Sequence, residues 1–304
     1  MKLVVLSFYR FVLLSDIKAL QKKLQDVGQR LSLKGTVLLS EEGINASLQC
    51  PNENEEEFRN TLNEIPGLQK LCFKTSPSSP ASFRRFSVKI KAEIVTLRKP
   101  TKPYEKTGAF ISPKDLKSWY DQKRDFIIVD TRNHYEFDLG TFKGAINPKT
   151  KSFSQFADWV DQNADELKGK TVVTFCTGGI RCEKATAYML DKGIPNVYQL
   201  EGGVLNYFEA LIDEEETHWK GDLVVFDKRK ALTSKLQISS KSICHSCLKE
   251  VNESTRGRLD HPAGEVCMSC DESMRLFHEK RVELGRKKHA LRLGRLHKVE
   301  NHSA

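Results

Sequence analysis

Thr171-Val172-Val173-Thr174-Phe175-Cys176-Thr177-Gly178-Gly179-Ile180-Arg181-Cys182-Glu183-Lys184-Ala185 is the stretch on which the fold turns. Its first five residues are apolar or β-branched with no polar alternation, the pattern of a strand buried on both faces of a parallel sheet. A thiol follows at once, then paired glycines, an arginine and a helix expected to start near Cys182. A second unbroken apolar run, Phe126-Ile127-Ile128-Val129, leads into Asp130. In open parallel sheets ligand chemistry gathers at the carboxyl ends of strands, so Asp130 and Cys176 are expected at one edge. Ser112-Pro113 reads as an N-cap with proline at the first helical position, and Leu116, Trp119 and Tyr120 form that helix's inner face.

A cysteine between a strand end and a helix start lies in a ring of backbone N–H groups, with the positive helix end added. Such a nest favours a thiolate or persulfide anion, so the Cys176 thiol is expected below its usual value of ~8.5 and accessible at the sheet mouth. Gly178 and Gly179 are expected to adopt backbone angles that a Cβ resists, while Arg181 supplies a fixed cation. The loop from Cys176 to Arg181 has six residues. A cysteine-dependent phosphatase needs a loop one residue longer, and Phe175 stands where those enzymes usually carry histidine, so sulfur chemistry fits better than phosphate chemistry. Cys182 reads equally as a resolving thiol or sulfur relay and as a small apolar packing residue. Asp130 is expected to accept hydrogen bonds from loop N–H groups rather than act as a general base. Arg132 and Lys184 are candidates to assist an anionic ligand, against the plainer reading of each as surface charge. Trp119, Trp159 and Trp219 read as core or interface residues.

Upstream, Leu3–Phe8 reads as a strand, and residues 16–31 as a helix with Ile17, Leu20, Leu24, Val27 and Leu31 on one stripe and Ser15 as its cap. Gly35–Leu39 and Ile44–Leu48 flank a hairpin turn, Ser40-Glu41-Glu42-Gly43, with Gly43 available for positive φ. A helix at Glu55–Glu64 follows, with Phe58, Leu62 and Ile65 inward and Asn54 with Glu57 as a weak capping box. Strand-like Leu71–Thr75 and Phe83–Ile90 close a β-α-β-β-α-β unit, the order of a ferredoxin-like sandwich. The proline-bearing Arg98–Gly108 segment has no hydrophobic period and reads as interdomain linker. The α/β chain is therefore divided into a ferredoxin-like α+β domain at 1–92, a linker at 93–111, a parallel-sheet domain at 112–212, a small Cys-rich extension at 213–275 and a basic helical tail at 276–304.

At 304 residues the chain has room for two or three domains. Its 49 Lys and Arg against 40 Asp and Glu give a formal charge of +9, compatible with an acidic partner such as nucleic acid. No run approaches the ~18 apolar residues of a membrane helix, and the first residues read as a strand rather than a signal peptide. Eight cysteines with metal or redox spacing place the protein in the reducing cytoplasm. Cys244-His245-Ser246-Cys247 and Cys267-Met268-Ser269-Cys270 are two C-x-x-C knuckles 19 residues apart, spacing that suits a closed, structural zinc site. The competing reading is four reduced or disulfide-paired cysteines. From 276 to the end, eight Lys and Arg face three Glu; Arg286, Lys287, Lys288 and Arg292 are candidate phosphate-backbone contacts, against a solvated tail. Arg84 and Arg85, beside Phe83 and Phe86, are a second RNA-contact candidate, or plain exposed charge. No flavin, haem or 2-His-1-carboxylate motif is present.

Val129-Asp130-Thr131-Arg132, Glu136, Gly144-Ala145-Ile146-Asn147, the Cys176 loop and Leu200-Glu201-Gly202-Gly203-Val204 together resemble the rhodanese domain, whose sulfurtransferases carry sulfur as a cysteine persulfide. One departure is Gly140-Thr141-Phe142-Lys143, where many rhodaneses read Gly-His-Ile before the Gly-Ala. A closer resemblance spans nearly the whole chain. Cys176–Ala185, with Glu41-Glu42-Gly43-Ile44-Asn45 upstream and the cysteine quartet downstream, resembles the bacterial oxygen-dependent tRNA uridine hydroxylases, which place a 5-hydroxyl on the wobble uridine. That resemblance implies an acylphosphatase-like N-terminal domain, a rhodanese domain with Cys176 essential, molecular oxygen as co-substrate and tRNA as partner, with any electron or sulfur donor unassigned. The alternatives are a persulfide sulfurtransferase using the same loop and a non-catalytic tRNA-binding adaptor.

Overall fold

β1 (Leu3–Phe11) alternates faces: Leu6 and Phe8 enter the core while Ser7 and Tyr9 point to the opposite face. α1 (Ile17–Arg30) follows, but its cap is Asp16 rather than Ser15, because the Asp16 carboxylate accepts the Ala19 N–H. β2 (Lys34–Ser40) and β3 (Gly43–Pro51) form the expected hairpin, with Gly43 at φ 145°. α2 (Glu55–Asn63) lacks the expected capping box: the Asn54 amide is drawn away to donate to the Leu31 carbonyl, tying α2 to the end of α1. β4 (Lys74–Pro77) starts later than Leu71, and β5 (Phe86–Ile90) later than Phe83. The sheet order is β4-β1-β3-β2-β5, a ferredoxin-like arrangement whose last strand joins β2 in parallel at the far edge. Leu20, Leu24 and Val27 of α1 and Phe58 and Leu62 of α2 bury against one face of this sheet with Leu6, Val37, Ile44 and Leu48. The other face, carrying Tyr9, is free of its own helices.

The structure, a computed structural model, describes residues 2–77, 83–226, 229–244, 246–247, 249–257, 266–276, 279 and 283. It divides into two units, Met1–Ile238 and Ser239–Ala304. Within the first, β6 (Ala109–Ile111) leads to α3 (Pro113–Asp121), where the Ser112 hydroxyl accepts the Asp115 N–H as read from the sequence. β7 (Ile127–Asp130), α4 (His134–Leu139), β8 (Gly140–Phe142), α5 (Phe156–Leu167), β9 (Val172–Phe175), α6 (Ile180–Asp191), β10 (Val197–Leu200) and α7 (Gly203–Ala210) complete a four-stranded parallel sheet of order β6-β10-β9-β7. β9 is fully buried between helical layers, as its unbroken apolar run requires. β11 (Trp219–Gly221) pairs with β8, and the short β12 (Leu223–Val224) with β13 (Ala231–Leu232). No helix among the described residues is long and apolar enough to cross a membrane.

Candidate active site

Strand β9 ends at Phe175, and the chain curls around the Cys176 sulfur into α6. The helix starts at Ile180, two residues before the expected Cys182, so Arg181 and Cys182 belong to its first turn. The correction matters because first-turn N–H groups have no intrahelical acceptor. The Gly179 N–H donates to Cys176 Sγ at 3.1 Å, and the Cys182 N–H and thiol add to the field at the sulfur. Burial pushes the Cys176 thiol up, but the Cys182 thiol, the Arg181 charge and these N–H groups outweigh it and hold the thiol well below its ordinary value. Cys182 moves the opposite way: burial and the neighbouring Cys176 push its thiol well above its ordinary value. Its sulfur also lies 3.5 Å from the Thr131 hydroxyl. Cys182 is thus fully buried beside Thr131 and close to the Cys176 sulfur, a position open to both readings of it, packing residue and second sulfur.

Of the two glycines, Gly179 needs its freedom. It sits at φ 103°, and a Cβ there would lie 2.8 Å from the Tyr9 hydroxyl. Gly178 does not: its φ is not positive, and a Cβ would meet nothing within 4 Å. The expected accessibility of the sulfur is corrected as well, since Cys176 is 1% exposed. Tyr9, from the helix-free face of the N-terminal sheet, lies over the loop near Glu183, whose carboxyl is raised by burial.

The charged residues are placed more specifically than the sequence suggested. Asp130 accepts the Arg132 N–H at 2.9 Å, as expected of a loop-shaping carboxylate. Arg132 is neither surface charge nor a free anion ligand. It is 1% exposed, paired with Asp130 at 2.6 Å, bonded to the Gly140 carbonyl and set near the Phe175 and Trp219 rings. Burial pushes the Asp130 carboxyl up against the pull of Arg132. Lys184 is likewise 1% exposed, its ammonium 2.7 Å from Glu42, 2.6 Å from Glu93 and 3.2 Å from the Val95 carbonyl. Arg181 donates to both Glu136 oxygens at 2.7 and 2.8 Å and to Thr177 Oγ1 at 3.4 Å, which shares its charge with a carboxylate. Ile180 opens α6 after this loop. Tyr9 and Lys74 carried no sequence signal. Both come from another domain, and only the register that sets Ser7 of β1 opposite Lys74 of β4 shows that Lys74 shares the face of Ser7 and Tyr9. Trp219 is buried against Phe142 and Phe208, while Trp119 and Trp159 are partly buried at core margins. Arg84 and Arg85 are exposed just ahead of edge strand β5. Arg286, Lys287, Lys288 and Arg292 lie outside the described residues, as do His245 and His261.

In the second unit the sulfurs of Cys244, Cys247, Cys267 and Cys270 lie within 4.8 Å of one another, with Cys247 and Cys267 3.8 Å apart. Sulfurs at tetrahedral corners about 2.3 Å from a zinc ion are about 3.8 Å apart, whereas a disulfide needs about 2.05 Å. All eight cysteines are free thiols. The Cys267 N–H faces Cys244 Sγ at 3.4 Å. Burial opposes ionisation of Cys244, but N–H groups of Cys247, Cys267 and Ser246 prevail and bring it to about 7.

A parallel sheet whose buried strand delivers one cysteine into a ring of donors at a helix start defines a rhodanese-type cysteine protein. The Rhodanese-like domain model matches residues 112–210, and the UPF0176 acylphosphatase like domain model matches residues 3–94. The chain is 43% identical over 244 residues to a Synechocystis sp. protein named tRNA uridine(34) hydroxylase, covering 80% of this chain and 87% of that one. Identity is 40% over 283 residues with a Picosynechococcus sp. protein of the same name (92% and 94% covered) and 41% over 275 residues with one from Synechococcus elongatus (90% and 97% covered). The chain belongs to the tRNA uridine(34) hydroxylase family.

Proposed function

We propose that this chain hydroxylates the wobble uridine of tRNA at C5, using molecular oxygen, with Cys176 as the reactive thiol. The observation that carries the reading is the placement of Cys176 in a chain of this family: its Sγ accepts a 3.1 Å bond from the Gly179 N–H at the start of α6, beside the Arg181 charge. They lower the thiol's pKa and so favour the thiolate, which is the nucleophilic form. Asp130 and Arg132 hold the end of β7 in shape, and the Glu136 pair pins Arg181 and with it the first turn of α6. A pyrimidine ring reaches a sulfur that is 1% exposed only when the Tyr9 side chain turns off the loop, its sheet staying in place, so tRNA docking and opening are linked steps. Arg84 and Arg85, with Arg286, Lys287, Lys288 and Arg292 of the tail, are the proposed phosphate contacts. A tRNA substrate and unpaired thiols fit work in a reducing compartment such as the cytoplasm.

Cys244, Cys247, Cys267 and Cys270 suit zinc: four thiolate donors at tetrahedral spacing leave no open position, so the ion would brace the second unit and do no chemistry. The six-residue loop also suits a persulfide, which supports a sulfurtransferase as second reading. Nucleoside mass spectrometry of tRNA from a deletion strain, complemented with wild type or Cys176→Ser, tests the proposal. Hydroxyuridine returns only with wild type if the reading is right. If the Ser variant restores it fully, an adaptor role replaces the enzymatic one, and thiocyanate formation from thiosulfate and cyanide without any tRNA phenotype favours sulfur transfer.

A further inference from the structure

The cations around the cysteine loop are nearly all spoken for. Arg181 is held by Glu136, Arg132 by Asp130, and Lys184 by Glu42 and Glu93, each at 2.6–2.7 Å. A cation bound to a carboxylate gives a third anion only part of its field, because the two fields largely cancel a few ångströms away. Lys74 differs. Its side chain leaves the helix-free face of the N-terminal sheet beside Tyr9, and its ammonium donates to a neutral acceptor, the Gly202 carbonyl. Among the described residues no carboxylate lies within ion-pair distance of it. Gly202 and Gly203 form the turn that closes on the cysteine: a Cβ on Gly203 would lie 2.5 Å from the Cys176 carbonyl oxygen and 2.7 Å from that of Thr177, while the Val204 N–H donates to the Cys176 carbonyl at 2.9 Å. The ammonium is therefore tethered one turn away from the reactive residue.

We propose that Lys74, brought in by the N-terminal domain, is a positioning residue of the cysteine site and the unneutralised counter-cation of the Cys176 anion, so that the site is complete only when two domains meet. The electrostatics agree. Burial lowers the Lys74 ammonium to about 8, and the charge that most opposes this fall is Cys176, ahead of Cys72 and Glu209. At pH 7 the ammonium keeps its proton, because its pKa stays above the solution pH. Arg181 is the larger single charge acting on Cys176 and is shared with Glu136; Lys74 adds the share that no carboxylate takes back. The other groups facing the sulfur are Tyr9 from β1 and Cys182 from α6, with Glu183 behind Tyr9. Lys184 is the fastener. It sits on α6, the helix that begins at the cysteine loop, and its carboxylate partners lie on the β2–β3 turn and on the segment after β5, so one buried ammonium clamps the N-terminal sheet to α6. This clamp joins Glu41–Asn45 to Cys182–Ala185, two motifs 142 residues apart at the Glu42–Lys184 contact.

The inference rests on Cys176 as the reactive thiol but not on the tRNA reaction, and its test uses no tRNA. Full-length wild type, Lys74→Met, Lys74→Gln and Lys74→Arg are treated with iodoacetamide from pH 5 to 10, and alkylation of the Cys176 peptide is followed by mass spectrometry. Loss of a nearby counter-charge shifts a titration by on the order of one pH unit, so the Met and Gln variants should inflect about one unit higher and react about tenfold more slowly below both inflections. Lys74→Arg should return most of the shift, and Lys184→Met should move the curve in the same direction as Lys74→Met. Coincident wild-type, Met and Gln curves overturn the role of Lys74. A wild-type inflection at or above ~8.5 instead sinks the reading of Cys176 as a stabilised thiolate. Two neutral variants are used so that the test survives if one of them does not fold.

Discussion

Replacing Lys184 by methionine tests the clamp most directly. The substitution nearly conserves volume but leaves Glu42 and Glu93, 13% and 19% exposed, facing the same small space. Both carboxylates now bond one nitrogen, at 2.7 and 2.6 Å, so their oxygens are at most about 5 Å apart. At an effective dielectric of about 20 their repulsion comes to about 3 kcal/mol, in line with the roughly 3–5 kcal/mol lost when one partner of a buried ion pair is removed. For a unit of this size that lowers Tm by on the order of 10 °C. The pH dependence has a definite sign. The Glu93 carboxyl is held below its usual range because the bonds from Lys184 and from the Leu97 and Arg98 N–H groups outweigh burial. Its contribution is therefore present above the ordinary carboxylate pKa of ~4.3 and is lost as pH falls through the depressed folded value. In Lys184→Met the carboxylates escape their repulsion by protonating, so the gap from wild type narrows as pH drops from 7 towards 4. Urea unfolding followed by tryptophan fluorescence at several pH values measures this. A loss under about 1 kcal/mol at pH 7, or a gap that stays constant down to pH 4, would refute the reasoning, whereas adding Glu42→Gln and Glu93→Gln to the Met variant should recover most of the stability.

Three further outcomes are expected. Gly179→Ala should destabilise by about 1–3 kcal/mol and slow alkylation of Cys176, because it imposes positive φ on a Cβ and displaces Tyr9, while Gly178→Ala should change stability by less than about 1 kcal/mol; equal effects in thermal melts would contradict the geometry. Asp130→Asn strands the buried Arg132 charge and should cost about 3–5 kcal/mol, read by the same unfolding curves. Purified chain should carry one equivalent of zinc by elemental analysis, and Cys247→Ser should lose it and raise protease sensitivity after residue 239 without shifting the Cys176 alkylation curve. Retention of zinc by that variant would remove Cys247 from the ligand set.

Much of this protein is local and therefore legible along the chain. The unbroken apolar run of β9 announces a doubly covered parallel strand, Ser112-Pro113 announces the start of α3, and the strand, cysteine, glycines and arginine announce a sulfur nest, since each pattern completes itself within about one turn or one strand. The limits of local reading show where a group has two possible partners. Asn54 looks like a helix cap but bonds the end of a different helix, and Gly178 looks obligatory beside Gly179 although only the second lies under Tyr9.

What the sequence determined by itself was the order of elements in the N-terminal domain, the identity of the sulfur at the strand end and the tetrad of thiols, because backbone geometry and side-chain periodicity act over a few residues. What tertiary structure alone decided was which charges are sealed and which face the sulfur. Arg132 and Lys184 read as surface cations until packing placed carboxylates against them, and Lys74 is silent in the chain until β4 pairs with β1 and turns it towards Gly202. Electrostatic partnership is set by distance and desolvation in space, and neither quantity is written in the order of residues.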